Sequence, residues 1–278
     1  MDYDNTVFGM FGGRENYEKG IEALVDFAQI DPGEQVLEVC CGTGISTRIV
    51  LKHTDQVTAV ELNRERMERA QRELPKSVRL VTTNALKLQP KDGMKYDVIL
   101  CINGFHYFDD PQRPDAVPEH FYAMAKRMLT PHGRLVFNVK LRDYNGVKPM
   151  HTELGKAAQR IVTSIRRFGE NSMYVHDRGF LETAYTPENF CVGYPFRITR
   201  QTVFPLFLEN PYPLVNYWAN VFFETRTEEV MYENQMVTRK TTEYIWFDER
   251  LHQHIESIPK EQQLLKAELL VEARVDRG

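Results

Sequence analysis

Cysteine is scarce: there are four in 278 residues, at 40, 41, 101 and 191, with no Cys-x-x-Cys spacing. Such a set points to neither a disulfide framework nor a zinc site, so the thiols are expected to be reduced and buried, as in a cytoplasmic protein. Long apolar runs are missing too. None approaches the roughly 18 residues of a membrane span, and the opening Met1-Asp2-Tyr3-Asp4 lacks the basic start and apolar core of a secretory signal. A cytoplasmic location without membrane attachment is therefore expected. Positive charge is not in excess: 35 Lys and Arg stand against 39 Asp and Glu, a net charge of −4, which removes the electrostatic footprint of a nucleic-acid binder. Internal repeats and low-complexity stretches are absent. What is present is ordinary: 42% hydrophobic residues, enough for a full core in one large domain or in a domain with an insertion.

The chain is organised around residues 35–47, Gln-Val-Leu-Glu-Val-Cys-Cys-Gly-Thr-Gly-Ile-Ser-Thr. An apolar strand breaks into a small-residue turn and then a helix pattern, the nucleotide-side corner of a Rossmann-like unit. Gly42 and Gly44 lack a Cβ, so a ligand can approach the backbone closely there. A dinucleotide fingerprint needs Gly or Ala at position 47, which is Thr, and a Walker loop needs a lysine that is absent. An acidic residue two places before the turn remains. This pattern resembles motif I of the class I S-adenosylmethionine (SAM)-dependent methyltransferases, usually acidic-x-Gly-x-Gly-x-Gly, with Cys40 in place of the first glycine.

The resemblance implies a fold and a set of SAM-binding positions. The fold is a Rossmann-like α/β domain, with seven mostly parallel strands and helices on both faces. From motif I it carries over Glu38, Cys40, Gly42, Thr43 and Gly44. A β-branched strand at 56–61 ends in Glu61, seventeen residues past Gly44, where such sites place the acid that accepts from ribose hydroxyls. Leu62 lies beside it. Asn84-Ala85 stands where the family often has Asp-Ala, and the Asn84 carbonyl oxygen offers the same acceptor to adenine. Met67 on the helix that follows Glu61 is expected either against adenine or in the core. The apolar run 96–102 suits a central strand buried on both faces and ends at Ile102, the motif IV position that holds the amino-acid end of SAM. His106 follows in that loop, and its pKa range suits a general base. The loop has neither the Asn/Asp-Pro-Pro-Tyr of amino-methylating DNA and glutamine enzymes nor the aspartate of metal-dependent catechol-type enzymes. No metal is implied, and Asp109-Asp110 reads as a solvated turn. A fifth strand is expected at 134–140 after a helix at 121–129, with His132 exposed in the loop between them.

Beyond residue 141 the resemblance thins. A helix at 153–168 carries Arg160, Arg166 and Arg167, and a second is expected to start at Thr186-Pro187. Strand six is expected at 196–204 and strand seven at 263–274, with helix as an alternative for 263–270. Strands six and seven form a hairpin in the resembling fold, so the intervening residues are far too many for a loop. They are expected to form a mainly helical, aromatic-rich cap that holds both tryptophans, Trp218 and Trp246. The domains implied are an N-terminal lid at 1–34, a SAM-binding core at 35–204, a substrate-binding cap at 205–262 and the last core strand at 263–278.

The implied reaction is transfer of the methyl group of SAM to a small-molecule acceptor, leaving S-adenosylhomocysteine. No nucleic-acid or membrane partner is expected, and the sequence leaves the oligomeric state open. Two rivals stand beside this reading: a methyltransferase of RNA or protein, and a non-catalytic SAM-binding subunit. A valine at Gly44 is expected to occupy the space of the methionine moiety without unfolding the chain.

Overall fold

The computed structural model describes residues 3–90, 93–108, 119–141, 144–150, 154, 157, 160, 195–222, 228–232, 235–239 and 242–276. Arg166, Arg167, Asp109, Asp110, the expected helix start at 186–187 and most of the expected helix at 153–168 lie outside them. Two helices, α1 (Tyr3–Met10) and α2 (Arg14–Ala28), precede the first strand. Then come β1 (Val36–Val39), α3 (Ile45–Val50), β2 (Val57–Glu61), α4 (Arg64–Glu73), β3 (Arg79–Thr82), β4 (Tyr96–Cys101), α5 (Glu119–Met128) and β5 (Leu129–Lys140). The later elements are β6 (Phe196–Phe207), α6 (Tyr212–Phe222), β7 (Glu228–Tyr232), β8 (Gln235–Arg239), α7 (Thr242–Glu256) and β9 (Leu264–Val275).

Seven strands form one sheet in the order β3-β2-β1-β4-β5-β9-β6. Strands β3 to β5 run parallel, and β9 is antiparallel to β5, with Phe137 opposite Val271. This is the Rossmann-like, mostly parallel sheet expected from the sequence. β1, β2 and β9 are buried along nearly their whole length, as a central sheet covered on both faces requires. The stretch 264–270 is strand, which settles the helix alternative. β5 begins at Leu129, five residues before the expected start. It shifts register between Tyr96 and Val98 of β4, and Gly133 allows this because a Cβ there would lie 2.9 Å from the Tyr96 carbonyl oxygen.

The core beneath the sheet is aromatic. Phe105 stacks on Phe137 with centroids 4.5 Å apart and meets Phe121 edge to face at 5.6 Å. Arg134, buried in β5, donates to the carbonyls of Ala28 and Gln29 at 3.0 and 2.7 Å and forks onto Glu34 at 2.7 and 2.8 Å. It thereby caps α2 and fixes the approach to β1.

By internal packing the described chain divides into two compact units. One holds the described residues of 18–141, 195–204 and 268–276; the other holds those of 3–17, 144–160 and 205–267. In the second unit α1 packs on α6 so closely that a Cβ at Gly9 would lie 2.4 Å from the Tyr217 ring. Leu214, Val215, Trp218 and Ala219 of α6 are buried, as are Phe247, Leu251 and Ile255 of α7, spaced four apart on one helical face. The segment expected to be mainly helical also contains the β7–β8 hairpin, with Val230 opposite Val237. No helix among the described residues is long and apolar enough to cross a membrane.

Candidate functional site

Strand order reverses between β1 and β4: from β1 the chain builds outward through β2 and β3, then returns to the other side for β4 and β5. In open parallel sheets the crevice at such a switch point, beyond the carboxyl ends of the strands, is where ligands bind. The turn after β1, the end of β2 and the end of β4 all lie at that edge.

The turn itself is held by two carboxylates. Glu38 on β1 is wholly buried and accepts hydrogen bonds from Ser46 Oγ and from Thr47 Oγ1, the latter at 2.6 Å. Burial outweighs those two bonds and pushes its pKa up. Both oxygens are engaged by α3, so Glu38 ties the helix start to the strand. Glu61 at the end of β2 accepts from the Gly42 N–H at 3.0 Å and from the Asn63 N–H at 2.8 Å. Each Glu61 oxygen keeps a second lone pair.

Backbone conformation at the turn is left-handed at Cys40, Gly42 and Gly44, with φ of 61°, 58° and 86°. Cys40 carries the cost of that region, about 1–2 kcal/mol for a residue with a Cβ. The two glycines differ in what surrounds them. A Cβ at Gly42 would meet nothing within 4 Å, whereas one at Gly44 would sit 2.8 Å from Leu74 Cδ1. The open space therefore lies over Gly42, and a side chain at Gly44 would drive into the protein instead of into a ligand. Thr43 is buried beside them.

Leu62, directly after Glu61, is 67% exposed, a large apolar side chain open to solvent at this edge. Asn84 caps a 3-10 turn, Ala85–Lys87, its Oδ1 accepting from the Leu86 N–H at 2.9 Å; Ala85 is buried below it. Met67 is buried with Ala70 on the inner face of α4, which makes it core. His132 is exposed, as expected, but within β5.

At the carboxyl end of β4, Ile102 is buried. Asn103 has a left-handed φ of 52°. Its N–H donates to Asn138 Oδ1 at 2.7 Å, and its own Oδ1 accepts from Asn138 Nδ2 at 2.8 Å. Gly104 then passes tightly over the first turn: a Cβ there would lie 2.7 Å from Cys40 Cβ and 3.3 Å from Cys101 Sγ. Burial pushes the thiol pKa values of Cys41 and Cys101 far up, so both stay protonated and inert. His106 lies tilted against Tyr107, centroids 4.1 Å apart. Desolvation, with the Lys140 ammonium adding to it, pushes the imidazole pKa down to about 4, although the side chain is exposed. It is therefore neutral at pH 7.

The sequence brought together the glycine turn, Glu61 and the β4 loop. It passed over Asn103 and Asn138, which lie 35 positions apart and meet only because β5 pairs with β4. In the other unit, Arg160 lines a concavity of about 510 Å³ with Ala157, Arg250, Gln253 and His254. The Arg250 guanidinium lies 4.3 Å over the Trp246 ring. Among the described residues no group of His, Cys, Asp or Glu could hold a metal ion.

Residues 36–133 match the family described as methyltransferase domain. An uncharacterised methyltransferase of Bacillus licheniformis is 24% identical over 192 residues, 69% of this chain and 86% of that protein. A ubiquinone biosynthesis O-methyltransferase of Coxiella burnetii is 24% identical over 114 residues, 40% of this chain and 46% of its own length. A ribosomal RNA small subunit methyltransferase A of Malacoplasma penetrans is 37% identical over 93 residues, 34% of this chain and 33% of that one. Among solved structures, a Bacillus halodurans protein described as a methyltransferase superposes with a TM-score of 0.49 at 17% identity, covering 92% of this chain and 98% of its own. The segment that matches the methyltransferase domain contains β1 to β4, the glycine turn and Glu61.

Proposed function

We propose that this chain transfers the methyl group of SAM to a small-molecule acceptor, binding SAM at the β1/β4 switch point. The observation that carries this reading is the left-handed Gly42, with open space where a Cβ would stand and its N–H fixed by Glu61. A nucleoside seated over Gly42 finds the free lone pairs of Glu61 for its ribose hydroxyls. Leu62 offers an exposed apolar face to adenine, and Asn84 and Ala85 close that side. Cys40, Thr43 and Gly44 shape the turn beneath the ligand, and Glu38 holds the turn without touching it. Ile102 brings the backbone at the end of β4 toward the amino-acid end.

When bound, SAM supplies a carbon already activated by its sulfonium. The chain's own work is to orient the acceptor in line with it, an effect worth up to about 7–11 kcal/mol. An acceptor that must lose a proton finds neutral His106 in the β4 loop. Its lowered pKa leaves the lone pair free at pH 7 but makes it a weak base, so it serves acceptors that are already acidic or need only orientation. The exposed Tyr107 ring beside it offers a face to the cationic centre. Residues 205–262 are the segment that selects the acceptor. The net charge of −4 favours a small molecule over RNA, and the ribosomal RNA enzyme's likeness is confined to 93 residues.

Calorimetry with SAM tests the cofactor site. Glu61→Ala should weaken binding on the order of tenfold to a hundredfold, the worth of charge-assisted hydrogen bonds. An unchanged dissociation constant in a folded variant would remove Glu61 and this placement of the ribose. A mass-shift screen against small aromatic and carboxylate metabolites then tests the acceptor class.

A further inference from the structure

The Asn103–Asn138 pair leaves one donor without an acceptor, and the pairing itself fixes which atom that is. The Asn103 backbone N–H can only donate, so the Asn138 atom 2.7 Å away is its oxygen. Asn138 Nδ2 must then be the atom 2.8 Å from the Asn103 side chain, which has to present its own oxygen there. Turning the Asn103 amide over would set two NH2 groups against each other. Asn103 Nδ2 is therefore directed away from Asn138, and it is closed to water with no hydrogen-bond partner.

A buried donor left in this state costs about 1–3 kcal/mol. It sits on a residue in left-handed conformation, φ 52°, at the end of a central strand. Gly104 next to it passes against Cys40 of the glycine turn. An unmet donor on a left-handed residue beside a switch point is a candidate ligand contact.

We propose that Asn103 Nδ2 donates to the carboxylate of the methionyl end of bound SAM, and that Asn138 is the positioning residue that holds the amide in that sense. The proposal rests on the cofactor reading above. With the ribose at Glu61 on the β2 side, the amino-acid half of SAM extends toward β4. Of the three polar groups in that half, the sulfonium and the ammonium cannot accept a hydrogen bond from an amide; the carboxylate can. Nδ2 is closed to water, so the contact requires the atoms over it to move on binding.

Calorimetry on the full chain with two probes tests this. S-adenosylhomocysteine carries the carboxylate, and 5′-methylthioadenosine lacks the whole amino-acid end. Asn103→Ala should weaken S-adenosylhomocysteine about tenfold or more and leave methylthioadenosine within about twofold. Asn138→Asp should do the same for a different reason. The new carboxylate still accepts from the Asn103 N–H but cannot donate to Asn103 Oδ1. The Asn103 amide then turns its Nδ2 onto that carboxylate, and the ligand loses its donor. Equal weakening of both probes would make the pair a structural support and overturn the proposal; so would unchanged S-adenosylhomocysteine affinity in either variant. Should Asn103→Ala melt early, Asn103→Asp keeps the volume and opposes the ligand carboxylate with its own charge, with the same split expected between the probes. If neither probe binds the wild-type chain, the cofactor reading itself fails and takes this proposal with it.

Discussion

Glu38 shows how much one buried carboxylate decides. Ser46 and Thr47 both donate to it, and its substitution by alanine strands two hydroxyls and opens a hole under the turn. Glu38→Ala should cost about 2–4 kcal/mol in chemical denaturation. Glu38→Gln keeps the shape and an acceptor, and should stay within about 1 kcal/mol of wild type near neutral pH. The two variants also differ in pH dependence. Because burial raises the Glu38 pKa above its ordinary 4.5, the folded state holds a proton that the unfolded state has lost. Its contribution is complete below that value and falls as pH rises through the folded pKa. Glutamine cannot titrate, so the slope should vanish in Glu38→Gln. A Gln variant that loses as much stability as the Ala variant would mean that the charge, and not the shape, holds the turn.

At the scale of the β1–turn–α3 element, the two glycines have separate duties. Gly42 faces open space and Gly44 faces Leu74, and both are left-handed. Gly42→Val should cost about 1–2 kcal/mol for its left-handed backbone and leave a folded chain with SAM affinity lost, whereas Gly44→Val should lower the melting temperature further, because its side chain also drives into Leu74. Melting curves beside calorimetry separate the outcomes; a well-folded Gly44→Val variant would contradict this assignment. The sequence located this element correctly because a glycine turn between a strand and a helix is a local pattern. It misassigned the direction of the Gly44 Cβ, because that depends on Leu74, thirty residues away and placed by packing. The Asn103–Asn138 pair was invisible for the same reason. The β7–β8 hairpin was hidden by the rings around it, which read as helix. A second test belongs to the inserted segment. The Leu208 N–H donates to the Gln263 carbonyl at 2.9 Å, so the ends of the insertion meet and a short turn can join them. Excising 209–262 should keep SAM binding within about tenfold and abolish transfer to the acceptor. Transfer at the original rate in the trimmed chain would make the segment a stability or assembly element.

Across the whole molecule, acid should act in two stages that distinct groups set. His106 has a folded pKa of about 4 against an ordinary 6.5, so between those values the unfolded chain binds the proton that the folded chain refuses. Stability attributable to His106 therefore falls as pH drops from about 6.5 toward 4 and changes no further below that. Glu34 and Glu272 act lower. Burial works against each, but Arg134 holds Glu34, and Thr199, Arg274 and Arg200 hold Glu272, leaving both carboxyls below the ordinary 4.5. Their support is present above that value and is lost as pH falls through the folded pKa values. Glu34 ties the loop after α2 to β5, and Glu272 ties β9 to the edge strand β6, so the second stage should release that edge while the first leaves it in place. Thermal melts as a function of pH should show both stages in wild type. Only the lower one should remain in His106→Gln, and the lower one should be shallower in Glu272→Gln. The same neutral imidazole sets the pH dependence of catalysis. With no ionisation of His106 near neutrality, the rate of transfer to a non-titrating acceptor should be flat across about pH 6 to 8. A rate that rises through pH 6.5 and loses that rise in His106→Gln would place the histidine's working pKa at its ordinary value, and with it a solvated ring in the catalytic complex.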